Sequence, residues 1–185
     1  MTPELPERPP LPELSVRARE ITDCARRLLE AHGWEYVTMR VLAAELGIKA
    51  PSLYKHFRGR EALRAALISD GLAETGQRLF AAITEEHSIA ALLHAYRQLA
   101  RESPSMYRLA TSGEMPRADL PDGLEEWAGS PFFLVTGDPY DAQALWSFAH
   151  GMSILEIDNR YPPGSELDRT WERGIRAFTN SLRAE

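Results

Sequence analysis

The amino-acid sequence predicts an all-α fold, with a small head of three helices at the N-terminal end and a larger helical body behind it. Three observations point there. Apolar residues recur at three- and four-residue spacings along most of the 185 residues, the apolar/polar alternation of a strand is absent, and glycine and proline gather between the periodic stretches. A hydrophobic share of 44% and a charged share of 26% are those of a globular chain with a core to bury.

Residues 1–14 contain Pro3, Pro6, Pro9, Pro10 and Pro12 and read as a flexible or extended arm, because prolines at this density forbid a helix. Helical patterning begins at Ser15, a suitable N-cap. Ile21, Cys24, Ala25, Leu28 and Leu29 give the buried stripe of a first helix down to His32, and Gly33 is its stop. A second helix is expected from Thr38 to Leu46, a third from Ala50 to Phe57, and a fourth from Arg60 to Ile83 on Leu63, Leu67, Leu72 and Leu79. Ser88 to Arg101 follows with Leu92, Leu93, Tyr96 and Leu99 buried, then a short helix from Pro104 to Ala110. The stretch 112–139 is rich in glycine and proline, so helix is expected only near Leu124 to Ala128. Two long helices, Pro139 to Asn159 and Ser165 to Arg183, close the chain. The expected domains are therefore an arm at 1–14, a head at 15–62 and a body at 63–185.

The net charge of −6 conceals an asymmetry: residues 15–60 carry nine Lys/Arg against five Asp/Glu, while the rest of the chain is acidic. Such a division turns the head toward polyanions and the body away from them. No run of apolar residues is long enough to predict a membrane span, and the first residues lack the pattern of a secretory signal. The single cysteine, Cys24, allows no internal disulfide and suits a reducing cytoplasm. No His or Cys pair stands at metal-ligand spacing, and no phosphate-binding glycine loop or nucleophile–base pair is present. Neither metal nor cofactor is expected, and the chain does not read as an enzyme.

The stretch TMRVLAAELGIKAPSLYKHF, Thr38 to Phe57, carries the chemistry. Thr38 can cap the second helix with its hydroxyl. Ala43 is small where two helices must approach, and Gly47, four residues on, lies where the chain reverses with positive φ. Ile48 and Leu53 can pack inward and fix the angle between the helices. Small residue, glycine, buried aliphatic at this spacing is the pattern of a helix-turn-helix, whose second helix enters the DNA major groove. Pro51 fits that helix's first turn. Lys49 stands where a capping hydroxyl is usual, and a cation there opposes the helix dipole unless an anion approaches.

The segment REITDCARRLLEAHGWEYVTMRVLAAELGIKAPSLYKHFRGREALRAAL closely resembles the N-terminal part of the TetR (tetracycline-repressor) family of bacterial regulators. Ala25, Leu29, Gly33, Thr38, Arg40, Leu42, Ala43, Leu46, Gly47, Leu53, Tyr54, His56, Phe57 and Leu63 carry the likeness. Trp146, His150 and Gly151 resemble the Trp-x-x-x-His-Gly segment of a subset of that family's C-terminal domains. The resemblance implies that Thr38, Tyr54, His56 and Arg60 hold DNA phosphates. It also implies that Lys49, Ala50, Pro51, Ser52 and Lys55, with Arg40 nearby, face the DNA. The missing cap leaves the start of the recognition helix open between Lys49 and Ala50.

For the body, the resemblance implies a homodimer built on the last two helices and a pocket for a small-molecule effector. Trp171, Ile175, Phe178 and Leu182 form one stripe, and Trp146, Ser153 and Ile157 one of two apolar faces on the preceding helix. Contact with a second subunit and burial in the chain's own core both fit these stripes. Tyr96, Met106, Tyr107, Trp127, Phe133 and Phe148, with Arg97 and His150 as polar anchors, are the candidates for lining the pocket. Plain core explains an aromatic stripe equally well. The function expected is a transcriptional repressor released from a palindromic DNA operator by its effector; an effector-independent helical interaction module and an α-helical enzyme are the alternatives.

Overall fold

The computed structural model describes residues 5–183. Nine α-helices run along them: α1 (Val16–His32), α2 (Met39–Glu45), α3 (Ala50–Leu53), α4 (Arg60–Glu85), α5 (Ile89–Glu102), α6 (Pro104–Thr111), α7 (Leu124–Thr136), α8 (Pro139–Ile157) and α9 (Leu167–Arg183). Among the described residues there is no strand, so the fold is all-α as the periodicity requires.

Two compact units divide the chain, and the division falls inside α4, after Ala73. The head unit joins Arg8–Ala73 to Ser103–Leu124; the body unit holds Glu74–Glu102 and 125–183, with 5–7 from the arm. Sequence reading placed the break at 62/63 and gave α6 to the body. The difference has a physical cause. Met106 and Leu109 of α6 are buried in the same core as Ile21, Leu29, Leu42 and Leu67. The Glu30 carboxylate, on α1, accepts the backbone N–H groups of Ser105 and Met106 at 3.1 and 2.8 Å and so caps α6. At the other end of α6, Arg64 donates to the carbonyls of Leu109 and Ser112.

Local chemistry sets the other head elements. Ser15 and Thr38 accept from the N–H groups of Ala18 and Val41, both at 3.2 Å, and cap α1 and α2. Arg60, the first residue of α4, donates to the carbonyls of Val37 and Trp34 at 2.8 and 2.5 Å, and its guanidinium lies 4.5 Å from the centre of the Trp34 ring. It clamps the turn that delivers Thr38 to the start of α2. The described part of the arm, residues 5–14, lacks helix, as its prolines dictate, but it is not free: Leu14 packs against the head core.

In the body unit α5 packs on α8 and α9. Arg97 joins the three, donating to both carboxylate oxygens of Glu156 at 2.8 Å and to Asp168 at 2.7 Å, while the Trp171 indole N–H donates to Glu156 at 2.9 Å. Gly174 lets α9 approach α8, since a Cβ there would overlap the Phe148 ring. Helix α7 runs to Thr136, beyond the expected end at Ala128, with Pro131 inside it. Proline at 131 cannot donate to the Trp127 carbonyl; the Ser130 hydroxyl donates to it instead at 2.8 Å, so the helix continues.

Two consequences can be measured. Arg60→Ala removes charged hydrogen bonds and a stacked ring, and the chain should lose about 1.5–3 kcal/mol in urea unfolding; wild-type stability would show that the clamp is not needed. Burial would raise the Glu156 pKa, but hydrogen bonds from Arg97 and Trp171 and the charges of Arg97 and Arg101 hold it below the ordinary carboxylate value. A depressed carboxylate stabilises the fold above its unfolded pKa, about 4.3, and that gain is lost as pH falls through the lower folded value. Glu156→Gln should cost about 3 kcal/mol at pH 7, since it leaves Arg97 with Asp168 alone, and should flatten the acid side of the stability–pH curve. An unaltered curve would contradict this.

Candidate nucleic-acid interface

The segment from Thr38 to Phe57 folds as helix, turn, helix. The turn depends on Gly47, whose φ of +63° admits no ordinary side chain without strain. Ile48 N–H then donates to the Ala43 carbonyl at 2.9 Å, closing the reversal on the small residue that the sequence places there.

Helix α3 is shorter than expected. It spans Ala50–Leu53, and the residues up to Phe57 continue as turns in which the Leu53 carbonyl accepts from both His56 and Phe57 at 2.9 and 3.0 Å. Lys49 is its N-cap residue and makes no side-chain cap, which resolves the helix start to Ala50. One turn of helix aligns few peptide dipoles, so the argument that Lys49 answers a helix dipole carries little weight here; what Lys49 offers is an exposed charge.

Burial divides this segment sharply. Leu53 is wholly buried and Phe57 nearly so, whereas Lys49, Pro51, Tyr54, Lys55 and His56 are exposed and Ala50 and Ser52 half-exposed. Tyr54 leaves 53% of its surface in solvent, unusual for an aromatic residue beside a core. His56 lies 3.4 Å from the Ser15 hydroxyl. Arg40 is exposed on α2, and half-buried Thr38 keeps its hydroxyl on the cap. Arg60 departs from the expectation: two of its donors are committed to backbone carbonyls and its plane to Trp34, so it braces the motif rather than standing ready for a phosphate.

The residues expected to line a pocket are divided between the two units. Met106 and Tyr107 fall in the head unit and the other six in the body unit. There Tyr96 meets Phe132 edge-on, Trp127 lies against Phe80, and Phe148 packs on Trp171 and Phe178. Arg97 serves the ion-pair cluster, Phe133 is exposed, and His150 stacks on Trp146, with its pKa lowered by burial. A cavity of about 550 Å³ lies elsewhere, in the head unit. The dimer set divides likewise. Ser153, Trp171 and Ile175 are buried within the single chain, because α5, α8 and α9 already enclose them, so they are core rather than contact surface. Ile157, Phe178 and Leu182 are half-buried, and Trp146 keeps 48% of its surface exposed. Leu155, which the sequence reading passed over, is also exposed on α8. Its apolar character is visible in the sequence, but only packing shows which face of α8 stays open.

Comparison with known proteins agrees with this geometry. Residues 21–67 match bacterial regulatory proteins of the tetR family, and residues 89–178 match the tetracycline repressor-like C-terminal domain. The uncharacterized HTH-type transcriptional regulator YobS of Bacillus subtilis is 30% identical over 181 residues, which take in 92% of this chain and 95% of YobS. The HTH-type transcriptional repressor Rv1474c of Mycobacterium tuberculosis is 30% identical over 117 residues, 62% of this chain and 58% of that one. A solved TetR point variant from Acinetobacter baumannii, in complex with minocycline, shares the fold at a TM-score of 0.63 and 19% identity, over 93% of this chain and 98% of the other. With both parts of the family matched and a relative aligned over nearly its whole length, the chain belongs to the tetR family of bacterial regulatory proteins and is a helix-turn-helix transcriptional regulator.

Proposed function

We propose that this regulator is a repressor: two copies bind a palindromic operator through their helix-turn-helix segments, and a small molecule taken up by the body releases them. The observation that carries the DNA-reading part is the division of Lys49–Phe57. Leu53 and Phe57 hold the segment from inside, while Lys49, Tyr54, Lys55 and His56 are presented outward together. Two lysines, a phenol and an imidazole are donors for phosphate oxygens and for the acceptor edges of bases. In this reading Lys49 and Lys55 reach the DNA, Tyr54 and His56 set register on the backbone, Ala50, Pro51 and Ser52 lie against base edges, and Arg40 adds charge. The basic excess of residues 15–60 points the same way.

Repression is favoured by the Mycobacterium tuberculosis relative, a transcriptional repressor, and release by a small molecule by the minocycline complex of the Acinetobacter protein. The body's aromatic groups around Tyr96, Trp127 and Phe148 are the place this reading gives the effector. A second copy is favoured by α8, which leaves Leu155 exposed and, one turn before it on the same face, Gly151, where an added side chain would meet open space. Apolar surface of this kind on a helix already packed on its other side suits an isologous contact. A cytoplasmic regulator follows from the same reading.

The charge reversals Lys49→Glu and Lys55→Glu should each weaken operator binding by about 5–150-fold in fluorescence anisotropy, with helicity and oligomeric state unchanged. Wild-type affinity should also fall steeply with salt. Reversed lysines that bind like wild type, or binding indifferent to salt and sequence, would sink the DNA-reading assignment. Gly151→Leu tests the dimer independently. Sedimentation velocity should show a folded monomer in place of a dimer, and an unchanged dimer would place the contact elsewhere.

A further inference from the structure

The cavity of about 550 Å³ belongs wholly to the head unit, and neither the proposed DNA contacts nor the body's aromatic groups account for it. Its origin is legible in α4. Ala62, Ala65, Ala66 and Ser69 follow at three- and four-residue spacing, so one stripe of the helix carries side chains too short to fill the space beside it. The arm supplies an opposing wall through Leu11 and Leu14, and Leu120 supplies another. The space is partly open to solvent, so a small molecule can reach it. A space of this size, with walls more apolar than polar, has the dimensions of a small-molecule site.

The polar groups around it narrow the occupant. Ser69 donates its hydroxyl to the Ala65 carbonyl at 2.9 Å, and Arg58 is ion-paired with Asp119. Neither calls for a charged ligand. The apolar majority of the walls, with Arg58 and Asp119 already paired to each other, suits an uncharged hydrophobic molecule.

The position also has a consequence for DNA. His56 and Phe57 line the cavity, and Phe57 is one of the two side chains that hold the short α3 in place. We propose that the head carries its own site for an uncharged hydrophobic small molecule, and that occupancy weakens DNA binding by displacing the Phe57 anchor within the head. The site itself stands apart from the repressor reading; its effect on DNA rests on that reading.

Nile red, an uncharged hydrophobic dye, is a suitable probe for the full-length protein. With methyl-labelled alanine and leucine, NMR should show dye-induced shifts concentrated at Ala62, Ala65, Ala66, Leu14 and Leu120. Ala66→Phe, which fills the space, should remove that binding, while circular dichroism shows the chain folded. Saturating dye should lower operator affinity by about 5–150-fold in the wild type and leave Ala66→Phe unaffected. Shifts confined to other methyls, or dye binding unchanged in Ala66→Phe, would overturn the site. Shifts at the cavity with no change in operator affinity would overturn the coupling. If the dye-free protein bound no DNA at all, the repressor reading and the coupling would fall together, while the methyl shifts would still decide whether the cavity binds.

Discussion

The recognition helix is too short to hold itself. Four residues, Ala50–Leu53, amount to a single turn, and the first turn is the part of a helix that fixes several dihedrals for little hydrogen-bond return. Its position therefore depends on burial of Leu53 and Phe57, each giving about 1.5–3 kcal/mol. Everything proposed for DNA follows from that anchoring. Because those two side chains point inward, Lys49, Tyr54 and His56 must point outward, and Gly47 allows the reversal that brings them there.

Both units are secured by charged residues acting on backbone or on one another across long stretches of sequence. In the head, Glu30 caps α6 from α1, Arg64 takes its last carbonyls, and Arg60 clamps the turn before α2. In the body, Arg97 and Glu156 tie α5, α8 and α9. Hydrogen bonds of this charged kind are worth more than neutral ones, and breaking one strands its partner. The head thus gains a helix that lies some fifty residues beyond α3 in the chain, and with it the loop that walls the cavity.

The fold was largely legible because it rests on local signals. Helix periodicity, Ser15 and Thr38 as caps, and the spacing of Ala43, Gly47 and Leu53 can all be read from neighbouring residues. What could not be read depends on distant partners. Nothing near Glu30 announces that it will cap Ser105 and Met106, so the head's true extent stayed hidden. Nothing near Arg60 distinguishes a phosphate ligand from a clamp on Trp34. The same limit governed the body: the stripe Trp171, Ile175 and Phe178 is apolar whether it faces α5 and α8 or a second copy, and only packing chooses. Glycine and proline crowd residues 112–139, so the sequence predicts helix α7 only near Leu124 to Ala128; that the Ser130 hydroxyl compensates for Pro131 is a matter of geometry.

The central claim is that an anchored α3 presents a surface built to read DNA as one half of a two-fold pair. Selection of bound sequences from a random double-stranded DNA pool tests it most directly. The account predicts enrichment of an inverted repeat whose half-sites lie about 34–36 Å apart, or a multiple of that spacing. Recovery of a pool no different from the starting one, or of sites without two-fold symmetry, would contradict it.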